Sequence, residues 1–149
     1  MTAPHDYTYL IPGRLAQGSA PPPGAQLPFD VIVLAAREYQ PALPGYEVIY
    51  VPLSDDGPPP TYEERELIRA QSSRIARRLR AGRRVLVTCR QGRNRSGVLA
   101  GRALVELGHD PERVFRTIRQ LRNGLTNTYF ADMVLRHSRS AGSGDEAAE

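Results

Sequence analysis

The chain has 149 residues and a formal net charge of +4, enough for one hydrophobic core and so for one domain. Its single cysteine, Cys89, excludes an internal disulfide framework; no Cys/His cluster suggests a metal, no apolar run is long enough to cross a bilayer, and the opening MTAPHDYTYLIPGR lacks the features of a secretory leader, so a reduced cytoplasm is the expected setting. All basic side chains are arginine, but they are spread along the chain among Asp and Glu with no aromatic interleaving, which reads as codon preference rather than a nucleic-acid platform.

In chain order, YTYLI and RLAQG read as a short leading pair of strands. The proline-rich segment from Ser19 to Pro28 reads as a surface loop. VIVLA (Val31 to Ala35) and VIYVPL (Val48 to Leu53) are β-branched and bounded by turn signals, as buried strands are. A second proline-rich loop, SDDGPPP, runs from Ser54 to Pro60. Thr61 then supplies a helix N-cap, with Glu64 three residues on completing a capping box. Leu67, Ile68, Ile75 and Leu79 follow at helical spacing, and Gly82 stops the helix.

RVLVT (Arg84 to Thr88) is the next strand. A helix whose apolar residues wrap most of its circumference runs from near Ser96 to Gly108, which predicts burial. Asp110 and Pro111 cap and open a third helix, with Val114, Phe115, Ile118 and Leu121 as its expected buried stripe. A fourth covers about Tyr129 to His137. The expected fold is α/β: a single domain over residues 1–137, with a mostly parallel central sheet of about four or five strands flanked by about four or more helices. The small, polar, acidic segment 138–149 is expected to be a disordered tail.

The chemistry concentrates in VTCRQGRNRSG, the loop between strand RVLVT and the buried helix. In α/β folds this is the end of the sheet where ligands bind. A thiol becomes a nucleophile by losing its proton, and a helix N-terminus and adjacent cations favour the thiolate. The loop Arg90, Gln91, Gly92, Arg93, Asn94, Arg95 can turn its backbone N–H groups inward, with Gly92 permitting a conformation other residues resist. The expected result is a phosphate-sized nest with Cys89 at its floor. The Arg95 fork can hold two phosphoryl oxygens, which a lysine cannot do. Ser96 can donate to the sulfur when it departs as thiolate, and Asn94 can pin the loop backbone. A proton for the leaving oxygen is expected from SDDGPPP, which offers Asp55 and Asp56 at the end of the preceding strand.

Cys89, Gly92, Arg95 and Ser96, with Asp55 in D-D-G-P-P and Asn127 and Phe130 in RNGLTNTYF, resemble the cysteine-based protein phosphatase superfamily, specifically its dual-specificity and compact protein-tyrosine members. The resemblance covers roughly Leu10 to Leu135. It implies a protein-tyrosine-phosphatase-like fold and a phosphocysteine route with no metal and no cofactor. In that route Cys89 attacks phosphorus, Arg95 binds its oxygens, and Asp55 serves as acid and then as base. Ser96 stabilises the returning thiolate and Asn127 is a supporting residue. The sequence departs from the family at Thr88, where the family usually has a histidine that orders the loop.

The expected substrate is a phosphorylated protein or peptide, and the chain is expected to act as a monomer. Arg90 and Arg93 keep a second reading open, a phosphatase for a non-protein polyanion such as a phosphoinositide or an RNA 5′ end. Thr88 keeps a third open, a catalytically weak phosphate-binding module.

Overall fold

The computed structural model describes residues 5–54 and 59–137. Among them lie five strands and four helices: β1 (Tyr7–Ile11), β2 (Leu15–Ser19), β3 (Val31–Ala36), β4 (Glu47–Leu53), α1 (Tyr62–Arg80), β5 (Val85–Cys89), α2 (Arg95–Glu106), α3 (Pro111–Arg122) and α4 (Thr128–Leu135). No helix among the described residues is long and apolar enough to cross a membrane. Asp55 and Asp56, and the segment 138–149 expected to be a tail, lie outside the described residues.

One sheet holds all five strands in the order β1-β2-β5-β3-β4. β1 pairs antiparallel with β2, and every other pairing is parallel, so the sheet is mixed but mostly parallel. The four parallel strands therefore end at one edge. That edge gathers Ser19, Cys89 and the segments that leave β3 and β4, with β5 at the centre.

Strand side chains alternate between two faces. Leu15, Val33, Val51, Val85 and Val87 join the residues of α1 to α4 in the larger core. Ala16, Ile32, Leu34 and Leu86 face the other way, and are covered by Phe29, Leu43, Tyr7, Leu27 and Tyr46. That face is closed by loops and β1 rather than by helices. Strand–helix alternation thus holds only for the second half of the chain, where α1 and α2 flank β5.

The helix signals act as the sequence implies. Thr61 accepts from the Glu64 amide while the Glu64 carboxylate accepts from the Thr61 amide. Asp110 accepts from the Arg113 amide, with Pro111 in the first turn. On α2 every residue from Arg95 to Val105 is buried. Gly101 lets α3 and α4 approach, since a Cβ there would press on Val134 and Ile118. The expected stripe on α3 is only half right. Val114 and Ile118 are buried and Phe115 is partly buried, but Leu121 is exposed, because α3 lies at the rim of the helix layer.

Candidate active site

Cys89 is the last residue of β5 and Arg95 the first of α2, so the loop between them is suspended between two rigid elements. Three outside groups fasten its backbone. The Gln17 side-chain amide donates to Gly92 O and Arg93 O, both at 3.2 Å. Arg122 donates from Nε to Gly92 O at 3.0 Å and from Nη2 to Gln91 O at 3.2 Å. The Leu125 amide donates to Arg93 O at 3.2 Å.

A trans peptide unit aims its C=O and N–H in opposite directions. Carbonyls 91, 92 and 93 are held outward, so the N–H groups of Gly92, Arg93 and Asn94 turn inward. They face a cavity of about 290 Å³ lined by Cys89, Arg90, Gln91, Arg93, Asn94, Arg95 and Glu38. The positive end of α2 points at the same space. Gly92 is required twice over. Its φ is +69°, and a Cβ would run into the Gly18 backbone and the Arg122 guanidinium.

Arg122 is itself anchored. Its Nη1 and Nη2 bond the two Asp6 oxygens at 2.8 and 3.0 Å, and Nη1 also reaches the Thr8 hydroxyl. The Asp6 carboxyl is held below its usual range chiefly by that hydrogen bond. Arg122 thus ties β1 and the end of α3 to the loop.

Cys89 is buried, with Sγ 3.3 Å from Ser96 Oγ. Ser96 Oγ in turn accepts from Gln17 Nε2 at 3.1 Å. The Ser96 hydroxyl hydrogen is therefore available for the sulfur whenever Cys89 is a thiolate. Gln17 is fully buried on β2, paired in register with Val87, and Oε1 of its amide has no partner among the described residues. The amide orientation follows from chemistry: its neighbours are two carbonyls and a hydroxyl oxygen, all of which accept.

The Arg95 side chain is buried and held by a fork. Nη1 and Nη2 bond Glu38 Oε1 and Oε2 at 2.6 and 2.9 Å, and Nη1 also donates to Leu53 O at 3.0 Å. The Arg95 hydrogen bond pulls the Glu38 carboxyl down to about 2. A depressed carboxyl keeps its ionic partner above its ordinary pKa of about 4.3 and loses it only as pH falls through the depressed value. The Glu38–Arg95 pair is thus intact throughout the neutral and mildly acidic range. Arg90 lies over the Tyr39 ring, 5.5 Å from its centroid.

Thr88, at the position where the resembled family has its loop-ordering histidine, points away from the loop. Its hydroxyl donates to Val33 O of β3 at 2.7 Å, away from the sulfur. Asn94 fastens the loop to the segment before α4: its Oδ1 accepts from the Asn127 amide at 2.9 Å and its Nδ2 meets Thr126 Oγ1 at 3.2 Å. Asn127 also caps α4, accepting from the Tyr129 and Phe130 amides. Asn94 and Asn127 therefore lash the loop to the start of α4.

Gln17, Glu38 and the role of Arg122 were not read from the sequence. Each had a faint signal: a polar residue inside an apolar strand, an acid just past a strand end, and an arginine closing an amphipathic helix. Gln17→Leu removes one of the two donors to Gly92 O and to Arg93 O and the amide donor to Ser96 Oγ, each lost bond worth about 0.5–1.5 kcal/mol. It is expected to lower thermal stability and to reduce aryl phosphate turnover by tenfold or more. Melting curves and steady-state rates check both, and an unchanged rate would show that Arg122 and Leu125 alone shape the loop.

No family profile matches the chain. No curated protein matches it in sequence. Solved structures do match. A point variant of human DUSP28 superposes with a TM-score of 0.76 at 22% identity, covering 94% of this chain and 99% of that one. DUSP15 gives a TM-score of 0.72 at 16% identity, covering 93% and 91%. The human tyrosine phosphatase-like serine/threonine/tyrosine-interacting protein gives 0.69 at 18% identity, covering 88% and 94%. With TM-scores of 0.69–0.76 and at least 88% of each chain covered, the chain has the compact fold of the dual-specificity and protein-tyrosine phosphatases.

Proposed function

We propose that the Cys89 pocket hydrolyses phosphate monoesters through a phosphocysteine intermediate, with phosphorylated protein side chains, phosphotyrosine foremost, as its substrates. The observation that carries this reading is the set of outward-tied carbonyls between Cys89 and Arg95. It leaves inward N–H groups, the Arg95 guanidinium and a buried thiol around one phosphate-sized space.

The chemistry runs in two displacements. Cys89 Sγ forms a bond to phosphorus as the ester P–O bond breaks, and Asp55 gives its proton to the leaving oxygen. The loop amides and Arg95 take up charge on the equatorial oxygens, where preorganised donors act most strongly. Asp55, now a base, takes a proton from water as that water attacks phosphorus and the S–P bond breaks. Ser96 donates its hydroxyl to the departing sulfur. Support for Asp55 is positional: it follows Ser54, next to Leu53, whose carbonyl already bonds Arg95.

Arg90 and Arg93 on the cavity wall favour a second reading, a phosphatase for a non-protein polyanion. Thr88, turned towards β3, keeps the weak binding module in play. A panel of phosphotyrosine and phosphoserine peptides, an inositol phosphate, triphosphorylated RNA and a generic aryl phosphate separates the three. The expected result is fastest turnover of phosphotyrosine peptide. Preference for a polyanion would install the second reading, and binding without turnover of any member the third.

A further inference from the structure

A second cavity, of about 740 Å³, opens between α1, α2 and α4. It shares no lining residue with the Cys89 pocket. Arg102 lies seven residues beyond Arg95 on α2, roughly 10 Å along the axis at the helical rise per residue. The arginines that are scattered in sequence converge here. Arg65, Arg69, Arg77 and Arg80 come from one side of α1, Arg102 from α2 and Arg136 from beside α4. The residues at 65, 69 and 77 fall on one helical row, the geometry that puts side chains on a common face.

The acids nearby do not neutralise this set. Glu66 pairs with Arg69 and Asp132 with Arg136, both at the surface. Glu106 accepts from the Ser73 hydroxyl at 2.7 Å and faces His137, while Arg80 bonds its backbone carbonyl instead. Arg65, Arg77 and Arg102 have no carboxylate within ion-pair distance among the described residues.

Arg102 is the telling member. The residue is 7% exposed. Its Nη1 reaches Met133 O at 3.3 Å, and its Nε has no partner among the described residues. Burial, reinforced by the charge of Arg69, pulls it down to about 10, so it remains a cation at neutral pH. Glu106 and Glu66 act on Arg102 only at a distance; a buried cation with no directly paired anion is costly, and further negative charge would offset that cost. The volume lies within the range of small-molecule sites, roughly 300–1,000 Å³. Arginine forks match phosphate oxygens two at a time.

We propose that this groove is a second anion site, separate from the Cys89 pocket, which binds a ligand carrying clustered phosphates. Such phosphates occur on soluble polyphosphorylated metabolites and on lipid headgroups, and both present the same oxygens to the guanidinium forks. The groove's role is recognition: its lining hydroxyl, that of Ser73, donates to Glu106 Oε2.

The test uses the full chain in an Arg95→Lys background, which disables the catalytic loop as an anion site. Calorimetric titration with inorganic tripolyphosphate at low salt is expected to show one site per chain. Arg77→Gln and Arg102→Met, added separately, are each expected to weaken it by at least roughly tenfold, the worth of one charge-assisted hydrogen bond. Arg116→Gln, on the exposed face of α3, is expected to leave it unchanged. Arg77 lies on the surface, so its substitution reads out even where the Arg102 change disturbs packing. Alone, Arg77→Gln should leave aryl phosphate turnover intact. A second arm compares vesicles containing phosphatidylinositol bisphosphate with the soluble headgroup. Arg77-dependent capture that is tighter on vesicles places the ligand on a membrane, and equal affinity places it in solution. Loss of all tripolyphosphate binding with Arg95→Lys, or affinity unaltered by both groove substitutions, overturns the proposal.

Discussion

Replacing Cys89 with serine is expected to abolish turnover of aryl phosphates while preserving the binding of tungstate or vanadate. The substitution removes the nucleophile and leaves the cradle. The carbonyls of Gln91, Gly92 and Arg93 stay tied to Gln17, Arg122 and Leu125, so the inward N–H groups persist. Arg95→Lys is expected to damage both. A lysine offers one point charge where the fork makes two bonds to Glu38 and a third to Leu53 O. Loss of an oxyanion-type donor costs roughly 10²–10³-fold in kcat. Glu38 then loses the partner that holds its carboxyl near 2, and that carboxyl should climb towards the ordinary range. The sign gives a further check. With Arg95 present Glu38 stays ionised through the assay range, so an acid limb near pH 5 in the native protein would not come from Glu38. In Arg95→Lys a new titration near the ordinary carboxylate pKa should appear. Direct rates, anion titration and the pH profile test these statements together. Substantial aryl phosphatase activity in Cys89→Ser would remove the cysteine from the mechanism.

Asp55→Asn is expected to slow phosphotyrosine hydrolysis by roughly 10²–10⁴-fold, the usual contribution of general acid catalysis. An activated aryl phosphate, whose phenol leaves without help, should lose far less. The alkaline limb of the pH profile, where the acid gives up its proton, should flatten. Asp56→Asn should do none of this. The assignment rests on register: Asp55, Gly57 and Pro59 follow the Asp-x-Gly-x-Pro spacing of the acid loop in the family the sequence resembles. Leaving-group dependence measured for both variants decides it. If Asp56→Asn takes the effect, the register is off by one. If neither does, the acid lies outside SDDGPPP.

Local chemistry was legible in the sequence wherever the deciding groups are close in the chain. Thr61 with Glu64, Asp110 with Pro111, and Cys89 with the seven residues after it all act within one turn or one loop. What escaped was long-range. Gln17 meets the loop from 75 residues away, Arg122 bonds Asp6 across 116, and Glu38 holds Arg95 across 57. None of these pairings leaves a spacing to read, because each exists only once β2 and β3 close on either side of β5. Thr88 shows the converse. It stands where the resembled family has a loop-ordering histidine, but strand alternation turns its hydroxyl to Val33 O. The arginines teach the same lesson at the surface: spread along the chain, they read as unremarkable until α1, α2 and α4 bring six of them around one groove.

The central claim is that a phosphoryl group passes through Cys89. The most direct measurement mixes the protein with an activated aryl phosphate, quenches in acid within the first turnover, and maps the digested chain by mass spectrometry. The expected result is one phosphoryl group on the peptide carrying Cys89, enriched in Asp55→Asn, where hydrolysis of the intermediate lacks its base, and absent from Cys89→Ser. Turnover in the native protein with no phosphoryl group ever trapped on Cys89, or with the label on another residue, would contradict the account.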